Sequence, residues 1–252
     1  MDREADALDT GNMSNSDYLQ KNLAEVRSAL EAAERAAGRA PGSVTLLAAV
    51  KYASDRELDA LVNRFGVRDV GENRVQQLLA HREAIDLPED LRVHFIGTLQ
   101  TNKVKYIIDK VTMIHSVDSL KLAREIDRQA KKHGLVMDIL VEINSGEEEN
   151  KSGILPTEAG ALCREIRTLD SVRLCGFMTM APRCRSAEEY RGYFLRTREL
   201  AMRIWREELG REGTPLLSMG MSESFGEAIV CGSDLVRIGR RLFLHETEPQ
   251  KN

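Results

Sequence analysis

The run Val44-Thr45-Leu46-Leu47-Ala48-Ala49-Val50, followed by Lys51-Tyr52-Ala53-Ser54, decides the fold. The first seven residues read as a short apolar strand after the Pro41-Gly42 break, and a helix is expected to open at Ser54-Asp55. Between the two lies no glycine-rich phosphate turn, which an open doubly wound sheet would normally carry after its first strand.

The same rhythm continues outward. Further strands are expected at Asp69–Gly71, Val93–Ile96, Val111–His115, Met137–Ile143, Arg173–Met178, Leu216–Met219 and Leu235–Ile238. The intervening helices are expected from about Arg74, from about Gln100, over Ser119–Lys132, over Thr157–Arg167, over Ala187–Leu209 and from Glu223 to Val230. Upstream, Leu19, Leu23, Val26 and Leu30 recur at helical spacing, so a first helix is expected over Asp17–Ala37 with Gly38 as its stop. Short apolar strands alternating with amphipathic helices imply parallel pairing and right-handed crossovers. Eight such units in roughly 200 residues suit an α/β chain folded as a (β/α)8 barrel. The expectation is one domain over residues 15–244 with an additional N-terminal helix, and polar tails at 1–14 and 245–252.

Composition narrows the function. The 252 residues carry 36 Lys+Arg against 40 Asp+Glu, a net charge of −4, which argues against a protein that coats nucleic acid. The apolar run at Val44–Val50 is far too short to span a bilayer, so no membrane partner is expected. The opening Met-Asp-Arg-Glu-Ala-Asp does not read as a secretory signal, which makes a cytoplasmic protein the expectation. Cys163, Cys175, Cys184 and Cys231 form no CxxC pair; reduced thiols are expected rather than a structural zinc site, with Cys175 and Cys231 as small buried hydrophobes.

In a (β/α)8 barrel the working residues lie at the carboxyl ends of the strands. Lys51 ends the first strand, Glu72 and Asn73 the second. His94 lies in the third, and His115 and Ser116 end the fourth. Asn144 and Ser145 end the fifth, Met178 and Thr179 the sixth; Ser218 and Ser222 flank the seventh, and Arg237 lies in the eighth. Lys51 emerges from apolar surroundings, where a lowered pKa would suit a Schiff-base amine; the alternative is a lysine that snorkels to solvent. Arg237 sits inside Leu235-Val236-Arg237-Ile238 and needs a partner, either a carboxylate in a salt bridge or a ligand. Gly220 and Gly239, with Ser218 and Ser222, suit the phosphate grip that this fold places after strands seven and eight, or simple turn chemistry. Together these features describe a site for a phosphorylated aldehyde bound as an imine. Lys103 and Lys105 are either an anion site or a solvated helix face.

The stretches Ala49-Val50-Lys51, Gly71-Glu72-Asn73, His94-Phe95-Ile96-Gly97-Thr98-Leu99-Gln100-Thr101-Asn102-Lys103 and Ser116-Val117-Asp118-Ser119 resemble the pyridoxal phosphate homeostasis proteins, which are similar to the barrel half of alanine racemase. So do Glu142-Ile143-Asn144, Lys151-Ser152-Gly153, Gly176-Phe177-Met178-Thr179-Met180, Leu217-Ser218-Met219-Gly220-Met221-Ser222 and Val236-Arg237-Ile238-Gly239. The resemblance implies that Lys51 forms an internal aldimine with pyridoxal 5′-phosphate and that Arg237 faces the pyridine nitrogen. It also implies that Ser218 and the backbone around Gly239 hold the phosphate while Asn73 and His94 line the cofactor. The candidate cofactor-binding set is therefore Lys51, Asn73, His94, Met178, Ser218, Ser222, Arg237, Gly239 and Arg240. At Arg240 and Arg241 the chain departs from the small residues usual in the family, so Arg240 either adds a contact to the phosphate or alters the grip by its bulk.

Racemisation needs a base on each face of the substrate carbanion, and alanine racemase draws its second base from a β-domain that is not expected here. A cation opposite the ring nitrogen also weakens the ring as an electron sink. The expected function is a monomeric carrier and buffer of pyridoxal phosphate that serves apo-enzymes and influences amino-acid and keto-acid balance. The alternatives are a weak amino-acid racemase or lyase, and a cofactor-free aldolase using Lys51.

Overall fold

The polar inner face of the barrel follows from the alternation of its short strands. The computed structural model describes residues 10–244; residues 1–9 and 245–252, which hold most of the two expected tails, lie outside the described residues. Helix α1 (Thr10–Ala36) leads into β1 (Thr45–Ala49), α2 (Asp55–Asp59), β2 (Asp69–Glu72), α3 (Val75–Ala84) and β3 (Arg92–Phe95). A 3-10 segment at Thr101–Tyr106 precedes β4 (Met113–Val117), α4 (Leu120–Lys132), β5 (Met137–Ile143), α5 (Ala159–Ile166) and β6 (Val172–Thr179). Then come α6 (Ala187–Arg203), β7 (Leu216–Ser218), α7 (Phe225–Val230), β8 (Leu235–Ile238) and α8 (Arg240–Phe243). The eight strands run parallel in sequence order and close, β1 pairing with β8 from Thr45↔Leu235 to Ala48↔Ile238.

Several boundaries differ from expectation: β4 spans Met113–Val117 rather than Val111–His115, so His115 lies within the strand, and three helical segments depart further. Helix α1 begins at Thr10, inside the stretch expected to be a tail. The helix expected from Gln100 is only a 3-10 segment: Val104 and Ile107, both fully buried, are three residues apart, the spacing that stacks side chains on one face of that tighter helix. The helix expected to run to Leu209 is α-helical to Arg203 and closes as a π turn over Ile204–Glu208; α2 ends in the same way over Ala60–Arg64.

Local signals explain the starts. Ser54 and Glu57 form a reciprocal capping box at α2, and Ser119 caps α4 by accepting from Leu122 N. Buried Glu34 accepts from Gly42 N at 2.8 Å and Val44 N at 2.7 Å, which fixes the turn from α1 into β1. Helix α8 is a single turn, and α1 packs on α7 and α8 through Leu19, Leu23, Val26 and Leu30. Asn22 Nδ2 donates to Leu242 O and Leu244 O, both at 3.0 Å, and ties α1 to the end of the barrel.

Outward strand residues join the main core with the helices. Inside the barrel a small apolar plug of Leu47, Ala49, Ile96 and Leu235 sits apart from that core. The other interior positions include His94, His115, Ser218 and Arg237, all buried.

Candidate functional site

At the carboxyl mouth, Lys51 follows β1 in a 3-10 turn over Val50–Tyr52, where it is exposed with Nζ 4.7 Å from the Tyr52 ring centroid. Its neighbours Val50 and Ala53 are buried while the amine is not, so the argument from an apolar environment fails for this lysine: the strand ends two residues earlier. Asn73 follows β2, and its Oδ1 is buried without a hydrogen-bond partner among the described residues. A Cβ at Gly97 would fall 2.1 Å from Asn73 O, so the chain leaving β3 presses directly on this residue. Across the mouth, a Cβ at Gly239 would lie 2.8 Å from Ala49 O, which keeps the end of β8 against the end of β1.

Arg237 lies beneath the mouth and is 4% exposed. Its Nη1 donates to Ser218 O and Ser218 Oγ, each at 2.7 Å, and its Nη2 to Thr179 O at 2.9 Å. Among the described residues no carboxylate forms an ion pair with it. Burial pushes the guanidinium down to about 10, and the charge of Glu142 works weakly against that, so it remains a cation at neutral pH. Glu142 is itself buried; burial raises its carboxyl, and its Oε1 accepts from Ser152 Oγ at 2.8 Å. A salt bridge for Arg237, one of two outcomes the sequence left open, is not what the barrel builds.

The interior polar groups connect. Ser218 Oγ lies 3.2 Å from His115 Nδ1, His115 Nε2 lies 2.9 Å from His94 Nδ1, and His94 Nε2 lies 3.2 Å from Asp69 Oδ1. Arg92 grips Asp69 through Nε at 2.7 Å and Nη2 at 2.5 Å. Burial works against the Asp69 carboxylate, but hydrogen bonds from His94 and Arg92 outweigh it and hold its pKa below the ordinary range. His115 is held well below the ordinary imidazole value chiefly by burial, and the charge of Arg237 acts in the same direction.

Comparison with known proteins places this geometry. Residues 15–247 match the family described as alanine racemase, N-terminal domain. A pyridoxal phosphate homeostasis protein of Aquifex aeolicus is 42% identical over 88% of this chain and 96% of its own length. The chain belongs to the pyridoxal phosphate homeostasis protein family. The solved structure of PipY from Synechococcus elongatus PCC7942, with PLP bound, is 30% identical and superposes with a TM-score of 0.77 over 90% of this chain and 100% of that one. A structure from Bifidobacterium adolescentis, described as an unknown protein, is 34% identical with a TM-score of 0.83, covering 91% of this chain and 96% of that one.

Within this family member the expected site residues separate into two groups. Lys51, Asn73, Ser222, Gly239 and Arg240 lie on the segments that leave the carboxyl ends of the strands. Ser222 Oγ accepts from Arg241 N at 3.4 Å and links the loops after β7 and β8. Arg240 is exposed and its Nη1 donates to Glu223 Oε1 at 2.7 Å, so its guanidinium is already paired. Ser218, Arg237, His94 and Met178 lie deeper. Ser218 is fully buried with its hydroxyl engaged by Arg237 and His115, which leaves it no orientation toward a phosphate at the mouth. Both ring nitrogens of His94 are bonded inside the barrel, and Met178 is a fully buried wall residue in register with Glu142 and Ser218.

Sequence reasoning passed over Asp69, and it noted His115 and Thr179 only as strand-end polar residues. A signal was present: Arg92 and His94 share one face of β3 at the two-residue period, opposite a charge that opens β2. Glu72 proved unrelated to the site; it faces α3, where its Oε1 lies 2.6 Å from His81 Nδ1. Cys163 and Cys231 are buried thiols, while Cys175, expected to be buried, is half-buried at the irregularity in β6, where its thiol donates to Arg173 O. Among the described residues no side-chain cluster suits a metal ion, and no helix is long and apolar enough to cross a membrane.

Proposed function

We propose that this chain binds pyridoxal 5′-phosphate covalently at Lys51 and acts as a carrier and buffer of it. The observation that carries the reading is the buried Arg237 cation, with no carboxylate ion-paired to it among the described residues, set beneath a mouth that holds an exposed amine. A buried guanidinium satisfied only by neutral oxygens is costly unless a ligand makes use of it. Asn73 Oδ1, an unsatisfied buried acceptor beside the mouth, supports the same conclusion. When bound, the cofactor supplies an aldehyde whose carbon joins a primary amine through a C=N bond with loss of water.

Lys51 supplies that amine. Arg237 would face the pyridine nitrogen, and its positive charge would disfavour a proton there. Asn73 offers an acceptor at the rim, and buried Met178 walls the floor. Among the described residues no protein acceptor takes the backbone N–H of Ser222 or Arg240, so these groups, with the Ser222 hydroxyl and the close-packed Gly239 backbone, are the phosphate donors. Ser218 and His94 act from below, through Arg237. A ring nitrogen left unprotonated gives a poor electron sink, which favours storage and delivery over carbanion chemistry. The family name of the 42% identical relative and the PLP-bound PipY structure support the reading. We place the chain in the cytoplasm as a monomer that passes the cofactor to apo-enzymes.

The test is a visible spectrum of the purified protein loaded with pyridoxal phosphate, then borohydride reduction and intact mass. Wild type is expected to be yellow and to carry one reduced adduct on Lys51, and Lys51→Ala to carry none. A colourless wild type, or an adduct unaffected by the substitution, would overturn the proposal. Incubation with single-enantiomer alanine and serine should leave optical activity intact; sustained loss would favour a racemase.

A further inference from the structure

Five side chains on five strands make one file of hydrogen bonds through the barrel. It begins at Arg237 under the carboxyl mouth and passes through Ser218, His115 and His94. It ends at Asp69, the first residue of β2, at the amino end. We propose that His115, His94 and Asp69 are positioning residues for Arg237, acting through the Ser218 hydroxyl, and that the file runs in one direction only.

The direction follows from what each group can donate. Ionised Asp69 only accepts, so His94 carries its proton on Nε2. With that single proton, His94 Nδ1 is bare and accepts from His115 Nε2–H. The neutral His115 ring then has a bare Nδ1, which accepts from the Ser218 hydroxyl. Ser218 Oγ, having given its proton away from Arg237, presents its lone pairs to the guanidinium. Every donor in this order points from the cation toward the anion, and every group is satisfied. The opposite order would place protons on both His94 nitrogens and on His115 Nδ1. Ser218 Oγ would then accept from both neighbours while its own proton had no acceptor in the file.

The crossed rings of His94 and His115, 88° apart with centroids 5.0 Å apart, suit this arrangement, since each lone pair meets the edge of the next ring. Arg237 would keep its bonds to Ser218 O and Thr179 O if the file were cut, so the file governs one of three acceptors: it sets orientation, not presence. Hydrogen bonds in series polarise one another, which strengthens the Arg237 to Ser218 link beyond that of an isolated hydroxyl.

The test has two arms. In the first, nitrogen NMR of histidine side chains in cofactor-free protein should show both His94 and His115 protonated on Nε2 alone. The Arg237 guanidinium should rotate slowly in wild type and faster in His115→Phe. An Nδ1–H tautomer or a cationic ring at His115 overturns the proposal whether or not any variant folds. The second arm rests on the pyridoxal phosphate reading. Release of the cofactor should quicken about tenfold in His115→Phe, the equivalent of one hydrogen bond. His115→Gln should stay within about threefold of wild type, because its amide offers one donor and one acceptor. Equal release from wild type and His115→Phe would overturn the positioning role. If wild type takes up no pyridoxal phosphate, the functional reading fails while the tautomer result still decides the file.

Discussion

Two carboxylates lie three residues apart on β2 and have opposite fates. Asp69 points into the barrel and Glu72 points out to α3, because successive side chains of a strand alternate between its faces. Both are buried and both meet a histidine. The outward pair, Glu72 with His81, clamps α3 to the sheet and reaches only exposed Asp55, 3.8 Å from His81 Nε2; among the described residues Glu72 Oε2 has no hydrogen-bond partner. The inward pair, Asp69 with His94, continues to Arg237. The same residue chemistry therefore serves as a clamp on one face and as support for a ligand site on the other. The pleat decides which.

The comparison is broken most severely at the clamp. Glu72→Ala removes one partner of a buried pair and should cost about 3 kcal/mol of stability, read from the urea midpoint. Cofactor release per folded molecule should not change. Faster release from this variant would show that the outward pair also reaches the site.

Protonation offers a milder probe of the same clamp. The hydrogen bond to Glu72 raises the pKa of His81 above its ordinary value, with burial opposing and the charges of Glu72 and Asp55 assisting. A raised folded-state pKa adds stability that is complete below the unfolded value of about 6.5 and is lost as pH climbs through the folded value. Wild type should therefore lose stability relative to His81→Gln as pH rises from below about 6.5 through the raised folded-state value. Parallel stability curves for the two proteins would remove the pair as a titrating element.

How much of this was legible beforehand depends on whether the relevant contact is local. The barrel was, because Met137–Ile143 and Leu235–Ile238 are continuous apolar runs with helices between, and Ser54 and Ser119 announce helix starts in three-residue patterns. The segment after β3 was not, since Val104 is followed by buried residues at both three and four positions, Ile107 and Ile108, which suit a 3-10 segment and an α-helix alike. At the site, Lys51 and Arg237 stood out as charges within apolar sequence. The partners of Arg237 did not: Ser218 and Thr179 precede it by 19 and 58 residues, and only barrel closure brings their oxygens to it. The burial argument for Lys51 failed for a local reason, a turn over Val50–Tyr52 that lifts the amine clear of the strand.

A third carboxylate, Glu223, marks the weak end of the series and bears on the arginine that departs from the family pattern. Its pair with Arg240 lies in the open, with side-chain exposures of 58% and 65%. Exposed pairs of this kind contribute little to stability, so Glu223→Ala should leave the urea midpoint nearly unchanged. Its effect should appear in the ligand. Freed from Glu223, the Arg240 guanidinium can turn toward an anion held by the neighbouring backbone N–H groups and add a charge-assisted bond. Pyridoxal phosphate release should slow about twofold at low salt, and the gain should shrink as ionic strength rises, because screening acts on exposed charges first. Unchanged release at low salt would mean that the bulk of Arg240 stays outside the grip, and that the phosphate is held by backbone and Ser222 alone.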